Sequence, residues 1–179
     1  MQQYINPISF LPPAVIASPT TKNIRLAKQK LMAEFELAGT TTIQVGNKEM
    51  SRNHVLKLFD ELGRPNELEY HTLIASDPVL LRFLEQHKMM PEKKICLRQE
   101  KLTRDFMEWL SPYYSYAFKN AITHIFQSLN TGEFSTILAN PHLMTRNDEW
   151  EAWNGVETQM QLTLQNYKER NEVRYNTPE

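Results

Sequence analysis

One cysteine, Cys96, stands in 179 residues. An intrachain disulfide and any Cys-rich metal site are therefore excluded, and a reducing compartment, the cytoplasm, is the expected location. Glycine is almost as scarce. The five that occur, Gly39, Gly46, Gly63, Gly132 and Gly155, stand singly. Both glycine-rich phosphate-binding motifs need several close together so that backbone amides converge on an anion, which excludes nucleotide binding through either. No run of about eighteen apolar residues occurs, so no membrane-spanning helix and no membrane partner are expected. An excess of charge of either sign is missing too. With 20 Lys and Arg against 21 Asp and Glu, the formal net charge is -1, without the broad positive field of a general nucleic-acid or acidic-membrane binder.

Charge is absent altogether from Met1 to Thr21, where four prolines (Pro7, Pro12, Pro13, Pro19) interrupt Ile5, Ile8, Phe10, Leu11, Val15 and Ile16. The prolines and the missing basic residues argue against an export signal, which needs an unbroken apolar run of about seven to fifteen residues. Each proline fixes φ and removes an amide donor, so residues 1–21 read as an extended, polyproline-like arm with apolar side chains projecting at intervals. Ordering a backbone residue costs about 1–2 kcal/mol, whereas burying an Ile or Phe side chain returns roughly 1.5–3 kcal/mol. Most of those six side chains must therefore enter a groove, on this chain or on a partner. They are the expected partner-binding residues.

Between the arm and a polar tail at 168–179, residues 22–167 are expected to form a single helical domain, since a chain of this length buries about two-thirds of its unfolded surface around one core. Ile24, Ala27, Leu31, Phe35 and Ala38 share one helical face from about Asn23 to Ala38, with Gly39 as the stop. Alternating β-branched residues from Thr40, then Gly46-Asn47, predict a short hairpin near 40–50. Ser51 and Asp77-Pro78 are expected N-caps, with a further helix opening at Asn66 between them. Helices are also expected over 92–110, from a Ser111-Pro112 restart to Asn130, as one turn at 135–139, and from Asn147-Asp148 to Tyr167. The fold class is mainly α: a compact multi-helix domain, one short β-hairpin, and the arm.

Residue types that carry chemistry are present without the spacing chemistry needs. Of the five histidines (His54, His71, His87, His124, His142), no pair stands four apart with the intervening Glu of a zincin helix. His124 lacks a nucleophile elbow to serve and is expected in the core or at its boundary. Lys93, Lys94 and Arg98 would favour a Cys96 thiolate, yet a lone thiol is more often packing. The carboxylates Asp105 with Glu108, and Asp148 with Glu149 and Glu151, sit in polar surroundings or at a helix start, where acids complement the dipole. Tyr113, Tyr114, Tyr116, Phe118, Trp109, Trp150 and Trp153 would suit base stacking beside a basic groove, but residues 111–179 carry five basic and eight acidic side chains. Core packing or a protein interface fits them better. No catalytic residue, metal ligand or cofactor is assigned.

The function these features favour is a non-enzymatic adaptor or structural subunit, mediating protein–protein interaction within a larger assembly and anchored partly by the arm. A homo-oligomer is compatible with the amphipathic final helix. The alternative is a DNA-binding regulator using a helix-turn-helix-like segment at 51–90, since residues 21–60 carry seven basic against four acidic side chains. Glu67 and Glu69 open the helix that would read bases, and they would repel phosphates, so nucleic acid is the less favoured partner. A second alternative is a small cytoplasmic hydrolase or transferase built on His124, Cys96 and nearby acids.

Overall fold

The computed structural model describes residues 3–17, 19–45, 48–128 and 131–175, and the described residues are mainly helical with one two-stranded antiparallel sheet. They fall into two compact units. One spans Ile5–Ser76; the other holds Tyr4 and the chain from Asp77 onward.

In the first unit the arm is not one extended run. A 3-10 turn covers Pro7–Phe10, with the Asn6 side chain accepting from the Ile8 amide at 3.0 Å, and helix α1 covers Pro13–Ala17. Proline causes both departures. At the first position of a helical turn its missing N–H costs nothing and its fixed φ suits the helix, so Pro7 and Pro13 start turns where their density suggested extension. Helix α2, Thr21–Ala38, is capped by Thr20, and Gly39 ends it at φ 62°. Strands β1 (Thr42–Val45) and β2 (Lys48–Ser51) pair with Thr42 opposite Ser51 and Ile43 opposite Met50. Their expected turn, Gly46-Asn47, lies outside the described residues. Ser51 then caps α3, Arg52–Leu62, and α4 follows over Glu67–Ser76. The core of this unit gathers Ile24, Phe35, Val55 and Phe59 with Ile8 and Leu11 of the arm.

The second unit begins where Asp77 caps α5, Pro78–Gln86, its Oδ1 accepting from the amides of Val79 and Leu80 at 3.0 Å. Two expectations then need correction. The helix expected over 92–110 forms only from Arg104 onward, as the start of a longer helix; residues 92–103 are irregular apart from one 3-10 turn at Gln99–Lys101. His87 and Glu92 have φ of 57° and 58°. Distant side chains also satisfy backbone donors there, since the Ile95 amide donates to Asn140 Oδ1 (2.8 Å) and the Cys96 amide to Asp77 Oδ2 (2.7 Å). Nor does Ser111-Pro112 restart the chain. Helix α6 runs unbroken over Arg104–Ser128 with Pro112 inside it. Phe106 and Leu110 before the proline and Tyr114, Phe118 and Ile122 after it are all buried, and that packing overrides the local cost of an interior proline.

Helix α7, Thr131–Leu138, is longer than the single turn expected, and α8 runs over Arg146–Tyr175, through most of the residues read as a tail. Among the described residues no helix is long and apolar enough to cross a membrane.

Candidate functional site

The arm residues expected to bind a partner lie mostly against the chain itself. Ile8 and Leu11 are buried, while Ile5, Phe10 and Val15 are partly buried against the same core. Only Ile16 is largely on the surface, at 42% exposure. Asn6 helps to hold the arm, its Nδ2 donating to the His71 carbonyl of α4 at 3.4 Å.

An apolar surface left open lies on the second unit, between α6 and α8. Three contacts fix how these helices pair. At the start of α8, Ser111 Oγ accepts from the Thr145 amide at 2.7 Å and also hydrogen-bonds Asp148 Oδ2. Further along, Lys119 lies across Gly155, where its Cε is 2.8 Å from the position a Cβ would take. Finally Thr123, Phe126 and Gln127 face Gln159, Met160, Thr163 and Leu164 across a groove of about 210 Å³. Residue numbers rise together along both helices, so α6 and α8 run parallel, and α7 lies in the chain between them.

The apolar stripe of α8 accounts for one side of the groove. Trp153, Val156, Met160, Leu164 and Tyr167 recur at helical spacing, but burial falls along this stripe. Val156 is buried, Trp153 and Met160 are half-buried, and Leu164 and Tyr167 are 59% and 67% exposed. Helix α6 stops at Ser128 beside this region, whereas residues 165–175 carry α8 about 16 Å further. Its apolar stripe therefore outruns its partner. Phe126, 38% exposed, closes the α6 side. No charged residue lines the groove; the polar lining is Thr and Gln.

The aromatic cluster serves chiefly as core. Tyr114 packs on Phe83 with ring centroids 5.0 Å apart, Phe118 on Trp153 at 5.1 Å, and Tyr113 on Tyr4 at 5.4 Å. Burial pushes the Tyr114 hydroxyl well above its ordinary pKa, and that hydroxyl donates to the Pro141 carbonyl at 2.9 Å. Trp150 is the exception, 66% exposed.

Groups proposed for chemistry are dispersed. His124 is exposed on α6, outside the buried stripe of Ala121, Ile122 and Ile125, so neither core nor boundary describes it. Cys96 is exposed on the irregular segment, with Sγ donating to the Lys94 carbonyl at 3.2 Å. His142 pairs with Glu149 (Nδ1 to Oε1, 2.8 Å), and Glu108 with Arg104 (2.7 Å). In the 51–90 segment, Arg64 pairs with Glu67 at 3.3 Å, so the first turn of α4 is acidic and partly self-neutralised. Of the basic excess before it, Lys28 pairs with Asp60 and Arg52 with Glu36, at 2.5 and 3.0 Å.

Among the described residues one group of three side chains has the donor types and proximity of a metal centre: Glu61, Glu67 and His71, whose ligand atoms lie within 4.8 Å of one another. Sequence reasoning passed over it. Glu67 and His71 stand one helical turn apart, a visible signal, but Glu61 belongs to α3 and reaches them only through the turn at 63–66. Burial, then the Glu67 carboxylate, raises the Glu61 pKa, and burial pushes the His71 imidazole down to about 4. No family model, curated protein or solved structure matches this chain.

Proposed function

We propose that the protein is a non-enzymatic adaptor or structural subunit acting through protein–protein contact within a larger assembly, with the α6–α8 groove as its docking surface. The occupant assigned to it is an amphipathic helix of a partner protein, entering with apolar anchors spaced i, i+4, i+7. One observation carries this reading: an uncharged groove closed by Phe126, Met160 and Leu164, on a helix whose apolar stripe continues past its neighbour. A nucleic acid would meet no cation there, whereas the pliable Met160 side chain suits a helix face. Ile16 is the arm residue with surface to offer the same assembly. Ile8 and Leu11 would have to leave the core to reach a partner, and Ile5, Phe10 and Val15 offer only part of their surface.

A photo-crosslinking side chain placed at Gln159 tests the occupant directly in the native host. The expected product joins Gln159 to a segment of another protein with apolar residues at helical spacing, and Leu164→Asp abolishes it while far-UV circular dichroism is unchanged. Adducts formed only with a second copy of this chain, or undiminished by Leu164→Asp, overturn the assignment.

A further inference from the structure

The α3–α4 hairpin places three ligand types where a cation would hold them together. Glu61 lies in the last turn of α3 and Glu67 in the first turn of α4, and His71 follows one turn later on the same face. The connection that opposes them is short and includes Asn66 at φ 66°, a left-handed backbone that Asn tolerates better than most residues. Glu67 has a side chain only 12% exposed, Glu61 is half-buried, and His71 is 1% exposed. Two carboxylates held at close range in a partly buried site repel each other. Two cations act on them: Lys57 lowers the charge repulsion at Glu61, and Arg64 reaches Glu67 at 3.3 Å from a side chain 61% exposed. An exposed guanidinium at that distance offsets little of the repulsion.

We propose that Glu61, Glu67 and His71 form a binding site for a divalent transition metal, Zn²⁺ by preference, clasping α3 to α4. The donor set makes the choice. Imidazole nitrogen with two carboxylate oxygens suits Zn²⁺, while Ca²⁺ and Mg²⁺ take oxygen-rich shells. Bonds of about 2.0–2.2 Å to a common tetrahedral ion put donors about 3.4 Å apart. Atoms within 4.8 Å of one another need only a small closing movement of the two Glu side chains. Solvent or an external group supplies the fourth position. The site lies in the Ile5–Ser76 unit and stands or falls independently of the groove.

Isothermal titration of the chelator-stripped full chain with Zn²⁺ tests it, with Co²⁺ as a spectroscopic probe. One equivalent is expected to bind, and Co²⁺ is expected to give visible bands of a low-symmetry nitrogen and oxygen site. Glu67→Gln and Glu61→Gln, which keep side-chain shape, should each weaken Zn²⁺ by more than about 100-fold, beyond the roughly 10–100-fold of outer-shell changes. His71→Ala should do the same if it folds; the two Gln variants decide the matter if it does not. Arg64→Ala should tighten binding several-fold, because the ion no longer competes with the guanidinium. Excess Mg²⁺ should not displace Zn²⁺. A flat titration at millimolar Zn²⁺, or affinity lost in Cys96→Ser but kept in Glu67→Gln, overturns the proposal.

Discussion

His71 shows how one side chain couples burial to pH. Its ring is enclosed in the α3–α4 hairpin, and desolvation pushes its pKa from an ordinary 6.5 down to about 4. A proton therefore binds the unfolded chain more readily than the folded one between those values. Stability is intact above about pH 6.5 and falls as pH drops toward 4, by a total on the order of 3 kcal/mol. Glu61 acts in the opposite sense just above its ordinary 4.5, because its folded pKa is raised and protonation favours the fold there. Urea unfolding with a chelator present, at pH 7 and pH 5, is expected to show the wild-type chain losing stability, and His71→Phe losing less. Equal losses in both would remove His71 as the cause. Five histidines were visible in the sequence, but which one is enclosed depends on contacts that span distant positions, such as the Asn6 bond to the His71 carbonyl.

At the scale of elements, helix α6 carries an unusual internal cost. Pro112 lies inside it, is exposed, and withholds the amide that would bond the Glu108 carbonyl. An interior proline costs about 3 kcal/mol relative to alanine, and the exposed Pro112 ring makes up none of it by its own burial, so the helix carries the cost against the packing of its neighbours. Pro112→Ala is therefore expected to raise stability by about 1–3 kcal/mol in chemical denaturation, with Ser111 still holding Thr145 and Asp148 at the start of α8. A loss of stability would mean that the bend at Pro112 is what lets α6 follow α8. The same helix marks the limit of reading elements from pattern. Periodicity and end signals located α2, α3, α5 and the hairpin, because Gly39, Ser51 and Asp77 act within a few residues of the helix ends they mark. Ser111-Pro112 imitates such a cap, but the burial of Leu110 and Tyr114 on either side decides in favour of continuity. The missing helix after Pro91 has the same origin, since Asn140 and Asp77 reach Ile95 and Cys96 from far along the chain.

For the molecule as a whole, the composition of the arm leaves two roles open, a strap over its own unit or an anchor for a partner. Its apolar side chains demanded a groove, and the first unit supplies one against α3 and α4, the helices that also bear Glu61, Glu67 and His71. The α6–α8 surface was only half legible: the stripe on α8 and the end of α6 near Asn130 were plain, but that the two helices would pack side by side was not. If the arm is a strap, Ile8→Ala and Leu11→Ala should each cost about 2–4 kcal/mol, a large share of a typical domain's 5–15 kcal/mol. Faster amide exchange should follow in the Ile5–Ser76 unit. Crosslinking from Gln159 should survive in whatever fraction remains folded. Were these variants instead to keep full stability and lose the partner, Ile8 and Leu11 would be trans anchors, and the packing seen in the isolated chain would be what a partner displaces. Melting temperature and crosslink yield, measured on the same two variants, separate the cases because a strap moves the first and an anchor the second.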